Sequence, residues 1–298
     1  MERKNLLKYL RVSVNTDCNK ECWYCFSEGI HTKKREMMDV DAFRWVIELL
    51  KRYFGIINVR FTGGEPLLND KLALFIKETK KVGVNNIGVT TNGTLLPQKY
   101  NELIDAGVDN FAIHVTDIDC DDWNVNELRI SFSKARYNVV VTKSNYQRVL
   151  EFIDFANERR LNILLLDLLE NSNIKKEVYA KEYLSLNLLY EKIQNLGYTK
   201  FEQGDNCIVF SSTSNDIKLV KRYIDFDGER YCTKKLEMHP ILLTSDFNIR
   251  LCNHFGTKEL EIKNFIEQRD SAKFIEKVDD ILLELEACDD CSSKIILV

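Results

Sequence analysis

Three cysteines near the amino terminus are the residues whose types and spacing point most directly to chemistry. Cys18, Cys22 and Cys25 lie in the stretch CNKECWYCF, at intervals of four and three residues. Thiolates at such intervals bind zinc or iron–sulfur clusters. Zinc would need a fourth ligand, for which His31 lies six residues further on. A [4Fe–4S] cluster needs only three thiolates and then keeps one iron open to another ligand, and the spacing favours this second interpretation.

Two further short motifs carry groups suited to binding a small molecule. The stretch TGGEP at residues 62–66 has paired glycines, which let the backbone approach a ligand closely, and a carboxylate that suits an ammonium group. The stretch TTNG at residues 90–93 offers hydroxyl and amide groups that suit a ribose. Taken alone, GGEP is equally typical of an ordinary turn between a strand and a helix.

The elements that must position these motifs follow from the hydrophobic periodicity. Apolar runs typical of buried strands alternate with amphipathic segments typical of helices through the first 170 residues. The predicted strands cover residues 10–14, 56–61, 86–90, 109–115, 137–141 and 161–169. Six strands joined by helices predict an α/β fold with a parallel sheet. Each motif follows the carboxyl end of a strand, where barrels and open α/β sheets place their active sites.

The rhythm of strands and helices stops near residue 171, and a second group of cysteines follows. We therefore expect two domains, residues 1–170 and residues 171–298, of which the second is smaller and helical or irregular. Its four thiols suit an iron–sulfur cluster or zinc, although unrelated cysteines remain an alternative. They are Cys232, Cys252, Cys288 and Cys291. Cys120 and Cys207 stand alone and are expected to be packing thiols.

Composition limits where the protein acts and what it binds. The chain has 298 residues with a formal net charge of -4, so it is not expected to bind nucleic acid in bulk. It contains no apolar run of the roughly 20 residues that cross a bilayer, and its start does not resemble a signal peptide. We expect a cytoplasmic protein without a membrane partner. Because the net charge is negative, an anionic substrate would need arginines near its binding site.

The three motifs, in this order and each after a strand, resemble the radical S-adenosylmethionine (SAM) superfamily over roughly residues 11–169. This resemblance implies a partial (β/α)6 TIM barrel with a [4Fe–4S] cluster on Cys18, Cys22 and Cys25 and SAM on the open iron. It also implies an oxygen-sensitive enzyme in which the cluster and SAM together would form a radical that takes hydrogen from the substrate. The implied cofactor-binding residues are Tyr24, Gly63, Gly64, Glu65, Thr91 and Asn92. His114 is a further candidate, although it would equally suit the role of a buried histidine within a strand.

Within that superfamily, the sequence looks most like the molybdenum-cofactor branch of GTP 3′,8-cyclases. Arg11, Arg60 and Arg136 fall where that branch has basic residues for its nucleotide, and Thr91 matches a nucleotide-contacting threonine. Guanidinium groups suit phosphate oxygens, although Arg11 and Arg60 would equally suit solvent or a helix carboxylate. The chain ends in SKIILV instead of the glycine pair of the cyclases. This departure argues against GTP cyclisation itself.

The later cysteines resemble a shortened auxiliary-cluster domain of the twitch type, which implies a second [4Fe–4S] cluster. The function expected from these resemblances is hydrogen abstraction from a small, phosphorylated, nucleotide-like substrate, followed by carbon–carbon bond formation or rearrangement. An electron donor such as flavodoxin or ferredoxin would be required. The alternatives are a peptide-modifying radical SAM enzyme and a non-catalytic iron–sulfur electron-transfer protein.

Overall fold

A computed structural model describes residues 7–26, 37–115, 134–171, 173–202, 207–220, 241–250 and 259–286. The first half alternates strands and helices as the periodicity predicts. Its strands are β1 (Tyr9–Ser13), β2 (Asn58–Thr62), β3 (Asn86–Thr91), β4 (Asn110–Val115), β5 (Ala135–Val140) and β6 (Asn162–Leu166). Its helices are α1 (Val40–Leu49), α2 (Leu72–Lys81), α3 (Leu96–Ala106) and α4 (Tyr146–Arg159).

Strands β1 to β6 lie side by side in chain order, and each pairs in parallel with the next. This arrangement confirms the predicted parallel α/β sheet and the partial barrel. Among the described residues, no helix is both long enough and apolar enough to cross a membrane.

The expectation of a helical or irregular second half was wrong for the residues that the structure describes there. Six more strands extend the same sheet at both edges. At one edge β6 pairs with β9 and at the other β1 pairs with β10, both in parallel. The added strands are β7 (Thr199–Glu202), β8 (Cys207–Ser211), β9 (Asp216–Val220), β10 (Ile241–Leu243), β11 (Asn248–Arg250) and β12 (Glu259–Glu261). The later helices are α5 (Lys176–Glu182), α6 (Tyr190–Asn195), α7 (Lys263–Gln268) and α8 (Ser271–Glu286).

The hydrophobic core lies between the helices and one face of this sheet. On β2, Phe61 packs against Phe43 of α1, which in turn contacts Phe75 of α2. All three rings are fully buried. Asp39 begins α1, because its carboxylate accepts a hydrogen bond from Ala42 N at 2.8 Å.

The opposite face of the sheet, here called the inner face, carries the polar residues of the same strands. Alternation along each strand and the strand register identify its members. Arg11 pairs with Arg60, Arg60 with Gly88, and Gly88 with Asn110. Further along, Ala112 pairs with Arg136. The register thus brings all three predicted substrate arginines to one face of the sheet.

Candidate active site

The loop that follows β1 carries the three cysteines at the carboxyl end of the sheet. Cys18 and Cys25 are exposed, Cys22 is half-buried, and all three are free thiols. A turn in which Cys25 N donates to Cys22 O at 2.9 Å shapes the second half of the loop. In the first half, Lys20 N donates to Cys18 Sγ at 3.4 Å. Backbone N–H groups directed at sulfur are typical surroundings for a thiolate that binds iron.

The three thiols are close enough to oppose one another's ionisation. Burial, followed by the charges of Cys25 and Cys18, raises the pKa of Cys22 to about 11. Burial is also the main cause of the raised pKa of Cys18. A positively charged iron–sulfur core reverses this cost, because it stabilises the thiolate forms. Within the described ranges, no group of three His, Cys, Asp or Glu residues converges on one metal ion. The donor set fits a cluster, in which each thiolate binds its own iron.

The paired glycines of the GGEP motif allow the end of β2 to pack directly on the cysteine loop. A Cβ atom at Gly64 would lie 2.2 Å from the backbone oxygen of Asp17, and one at Gly63 would lie 2.4 Å from Asn15 Oδ1. The two segments are also bonded to each other. Gly64 N donates to Asn15 O at 3.1 Å, and the Asn15 side-chain amide donates to Glu65 O at 2.9 Å. The glycines therefore fix the position of the cysteine loop, whatever else they bind.

Glu65 is 1% exposed, and its carboxylate connects the ends of β2 and β3. The Thr91 hydroxyl donates to Oε1 at 2.6 Å, Asn92 N donates to Oε2 at 2.7 Å, and Leu67 N donates to Oε1 at 3.1 Å. Burial raises the pKa of Glu65, and these three hydrogen bonds oppose that rise. The carboxylate thus holds together the GGEP and TTNG motifs.

The Asn92 side chain reaches the first cysteine. Its amide nitrogen donates to Asn19 Oδ1 at 2.8 Å and lies 3.9 Å from Cys18 Sγ. Thr94 completes the arrangement, because its hydroxyl accepts from the Asn19 amide at 2.8 Å. Asn92 was predicted to contact the cofactor, and the structure places it beside the thiol of Cys18, a predicted cluster ligand.

Tyr24 and His114 meet above the inner face. The Tyr24 hydroxyl and His114 Nε2 are 3.2 Å apart, and the two rings contact edge to face. Tyr24 also packs against a small apolar cluster that includes Leu168 and Ile174. His114 is therefore a half-buried polar residue of the inner face and not part of the hydrophobic core.

Two asparagines after β6 hold the backbone around the third cysteine, and the sequence analysis missed them. Asn173 donates from its side chain to Cys25 O at 2.9 Å, and Asn171 donates to Tyr24 O at 3.5 Å. They occur in the stretch ENSN, which follows a predicted strand end just as the recognised motifs do. That position is the signal that could have identified them.

The arginines of the inner face form a cationic cluster. Burial, then the charges of Arg136 and Arg11, lower the pKa of Arg60 to about 9. Burial also lowers the pKa of Arg136, although the nearby Cys207 opposes this change. Within the described residues, neither Arg60 nor Arg136 forms an ion pair with a carboxylate, and the buried Arg60 Nη1 has no hydrogen-bond partner. The cluster is therefore a place where a bound anion would relieve both repulsion and an unsatisfied donor.

A cavity of about 250 Å³ adjoins this cluster. Asn110, Asn162 and Asp216 line it and begin β4, β6 and β9, so the cavity lies toward the amino ends of the strands. Its charged lining, four basic residues and one acidic residue, consists of Arg60, Lys134, Arg136, Lys218 and Asp216. Lys134 and Lys218 were not predicted, because neither belongs to a recognisable motif.

The second group of predicted metal ligands lies outside the described residues. These are Cys232, Cys252, Cys288 and Cys291. Cys207 lies on β8, half-buried beside Arg136 and Lys218, whose charges oppose the rise of its pKa that burial causes.

The parallel partial barrel with a three-cysteine loop at its carboxyl end defines a radical SAM protein. The chain belongs to the Radical SAM superfamily, whose family model matches residues 12–181, more than half of the chain. It is a radical SAM enzyme, and membership of this family implies a [4Fe–4S] cluster and SAM as cofactors.

Relatives and solved structures agree with this assignment. The chain is 28% identical to the GTP 3′,8-cyclase of Clostridium acetobutylicum, over 93% of this chain and 89% of that protein. It is 26% identical to the molybdenum cofactor biosynthesis protein moc-5 of Caenorhabditis elegans, over 91% of this chain but only 47% of that protein. The fold resembles that of Streptococcus suis SuiB bound to S-adenosylmethionine, with a TM-score of 0.64 and 13% identity over 95% of this chain and 68% of that one. It also resembles that of anSMEcpe with bound AdoMet, with a TM-score of 0.55 and 14% identity over 90% and 82% of the two chains.

Proposed function

We propose that this enzyme abstracts hydrogen from a small phosphorylated, nucleotide-like substrate whose anionic part binds the inner-face arginines. The observation that carries the proposal is the buried Arg60 guanidinium, which lies beside two like charges and a cavity. Its Nη1 has no hydrogen-bond partner among the described residues. Charged groups are rarely buried without a counterion. An anionic substrate supplies both the counterion and the hydrogen-bond acceptor. The cyclase relatives are named for GTP, which belongs to this chemical class.

The residues at the carboxyl end of the sheet fit the cofactors that the family implies. Cys18, Cys22 and Cys25 would hold the cluster, and the GGEP segment would present its backbone to the methionine end of SAM. Once bound and supplied with an electron, the cluster and SAM would provide the chemistry for abstraction of a hydrogen atom from the substrate. Tyr24, held by His114, would pack against the adenine.

The arginines would fix the position of the substrate. A substrate anchored through its anionic group presents one carbon to the carboxyl end of the sheet and excludes water from the inner face. Such anchoring raises the rate because it replaces a random encounter with a fixed geometry. We propose that the substrate radical then undergoes carbon–carbon bond formation or rearrangement.

Two further parts of the proposal concern electron transfer to and within the enzyme. Cys232, Cys252, Cys288 and Cys291 would bind an auxiliary [4Fe–4S] cluster of the twitch type. A flavodoxin or a ferredoxin would supply the electron that starts SAM cleavage. Iron and sulfide analysis of the reconstituted protein tests the first part, since two clusters give twice the iron of one.

The central experiment is an anaerobic assay of the reconstituted enzyme with SAM and dithionite. We would quantify 5′-deoxyadenosine with and without each member of a panel of purine and pyrimidine nucleotides and their nucleosides. The proposal expects one nucleotide to stimulate cleavage and its nucleoside to do so far less. Arg60→Ala should remove this stimulation. The matched control is Arg148→Ala, which removes an exposed arginine of α4 that pairs with Glu151.

The result that overturns the proposal is equally specific. Cleavage that no nucleotide stimulates, and that Arg60→Ala leaves unchanged, would rule out an anionic nucleotide-like substrate. The peptide-modifying alternative would then be tested with precursor peptides in the same assay. Cys22→Ala should abolish 5′-deoxyadenosine formation under every condition.

A further inference from the structure

The Arg60 side chain crosses the neighbouring strand at a glycine. Arg60 and Gly88 are register partners on β2 and β3, and both belong to the inner face. A Cβ atom at residue 88 would lie 2.6 Å from Arg60 Nη2 and 2.7 Å from Arg60 Cζ. These distances are well below van der Waals contact, so the guanidinium occupies the space that any other side chain at position 88 would fill.

Asn110 holds the guanidinium at the far side of that glycine. Arg60 Nη2 donates to Asn110 Oδ1 at 2.5 Å. The other end of the Asn110 amide donates to Asn86 Oδ1 at 2.6 Å, and the Asn86 amide donates to Asn58 Oδ1 at 3.0 Å. Because each amide donates to the next, the direction of the ladder turns the Asn110 oxygen toward Arg60.

We propose that Gly88 and Asn110 are positioning residues that fix Arg60 as an anion-binding group before the substrate arrives. This inference rests on the proposed function, in which Arg60 binds the anionic part of the substrate. Asn110 supplies a neutral acceptor, so it orients the guanidinium without neutralising its charge. A carboxylate in its place would bind Arg60 as an ion pair and compete with the substrate.

Gly88→Ala separates this role from a purely structural one. The atoms that the new methyl group would meet are the ends of the Arg60 and Asn110 side chains, and Gly88 does not have a left-handed backbone conformation. The guanidinium can therefore move while the strand stays in place. Alanine is also more favourable than glycine inside a strand. We expect Gly88→Ala to leave the thermal unfolding midpoint unchanged or higher, while it weakens anion binding.

The probe is inorganic tripolyphosphate, titrated calorimetrically into the anaerobically reconstituted enzyme. The loss of one charge-assisted hydrogen bond predicts a Kd about tenfold higher for Gly88→Ala and for Asn110→Ala than for the wild type. Asn110→Asp should weaken binding at least as much. Asn187→Ala, which removes an exposed side-chain amide, is the control.

A double mutant identifies the route of the effect. If Gly88 acts through Arg60, then Gly88→Ala adds nothing to the binding defect of Arg60→Ala. The positioning role is wrong if the two binding defects add. It is also wrong if Gly88→Ala binds tripolyphosphate as tightly as the wild type while Arg60→Ala binds it more weakly. In both cases the proposed function stands. If the wild type and Arg60→Ala bind tripolyphosphate and GTP equally weakly, the proposed function fails and this inference fails with it.

Discussion

Replacement of Glu65 by alanine should destabilise the whole carboxyl end of the sheet. The change removes the acceptor of three hydrogen bonds, from the Thr91 hydroxyl, Asn92 N and Leu67 N. A buried donor without a partner costs about 1–3 kcal/mol. Release of a buried charge offsets part of that sum, because burial disfavours the charged form of Glu65. We expect a net loss of about 3 kcal/mol in the free energy of unfolding.

The sign of the pH dependence provides an independent check on this reasoning. The pKa of Glu65 is raised above its ordinary value of 4.5 in the folded protein, so the folded state holds this proton more tightly than the unfolded state. The contribution of Glu65 to stability is then complete below pH 4.5 and declines as the pH rises through the folded pKa. Glu65→Gln does not titrate, so it should lack this decline.

The assay is urea unfolding of the cluster-free protein under reducing conditions, followed by circular dichroism at several pH values. Glu102→Ala, on the exposed side of α3, is the matched control. A loss below about 1 kcal/mol for Glu65→Ala, indistinguishable from that of Glu102→Ala, would refute the argument. An identical pH dependence in the wild type and Glu65→Gln would refute its electrostatic part.

Three other substitutions test the residues that position the cysteine loop. Gly64→Ala should prevent cluster binding, measured as iron per protein, because its methyl group would meet the Asp17 backbone, which cannot move aside. Tyr24→Phe keeps the ring but removes the hydrogen bond to His114, so we expect the Kd for SAM to rise about fivefold with normal iron content. Asn173→Ala leaves the carbonyl of the third cysteine without its side-chain donor, and an altered electron paramagnetic resonance spectrum of the reduced cluster should report the change. An unchanged iron content, SAM affinity or spectrum, respectively, would contradict each expectation.

The sequence predicted the part of the fold in which local pattern and tertiary structure agree. Strands β1 to β6 are short stretches rich in apolar residues between amphipathic helices, and this pattern has few alternatives. Three of the six later strands that were missed, β10 to β12, contain only three residues each, which is too few to show a strand period. β10 joins β1 across more than two hundred residues of chain, and no local pattern indicates such a partner. Short strands whose pairing is distant depend on the existing sheet edge and not on their own sequence.

The candidate site divides in the same way. Cysteines, paired glycines and the TTNG motif have fixed spacings within one loop, so the sequence identified them. Gly88 and Asn110 do not, because each acquires its role only from the strand beside it. A glycine within an apolar run predicts a weak point in a strand. Only the register with Arg60 shows that its missing side chain is the space for a guanidinium.

The proposed function sets the arginines and the cysteine loop at two depths along the inner face, and this separation would limit the substrate. Arg60 precedes Gly63 by three residues on β2 and its extension, which corresponds to about 10 Å along the strand. A substrate that reaches both the arginines and the cofactor level must therefore carry its anionic group far from the carbon that loses hydrogen. Binding energy from that remote group would be used to fix the reacting carbon, so a substrate without it should lose turnover as well as affinity. The nucleoside should therefore have a lower kcat than its nucleotide. A higher KM with an unchanged kcat would instead indicate that the arginines only retain the substrate.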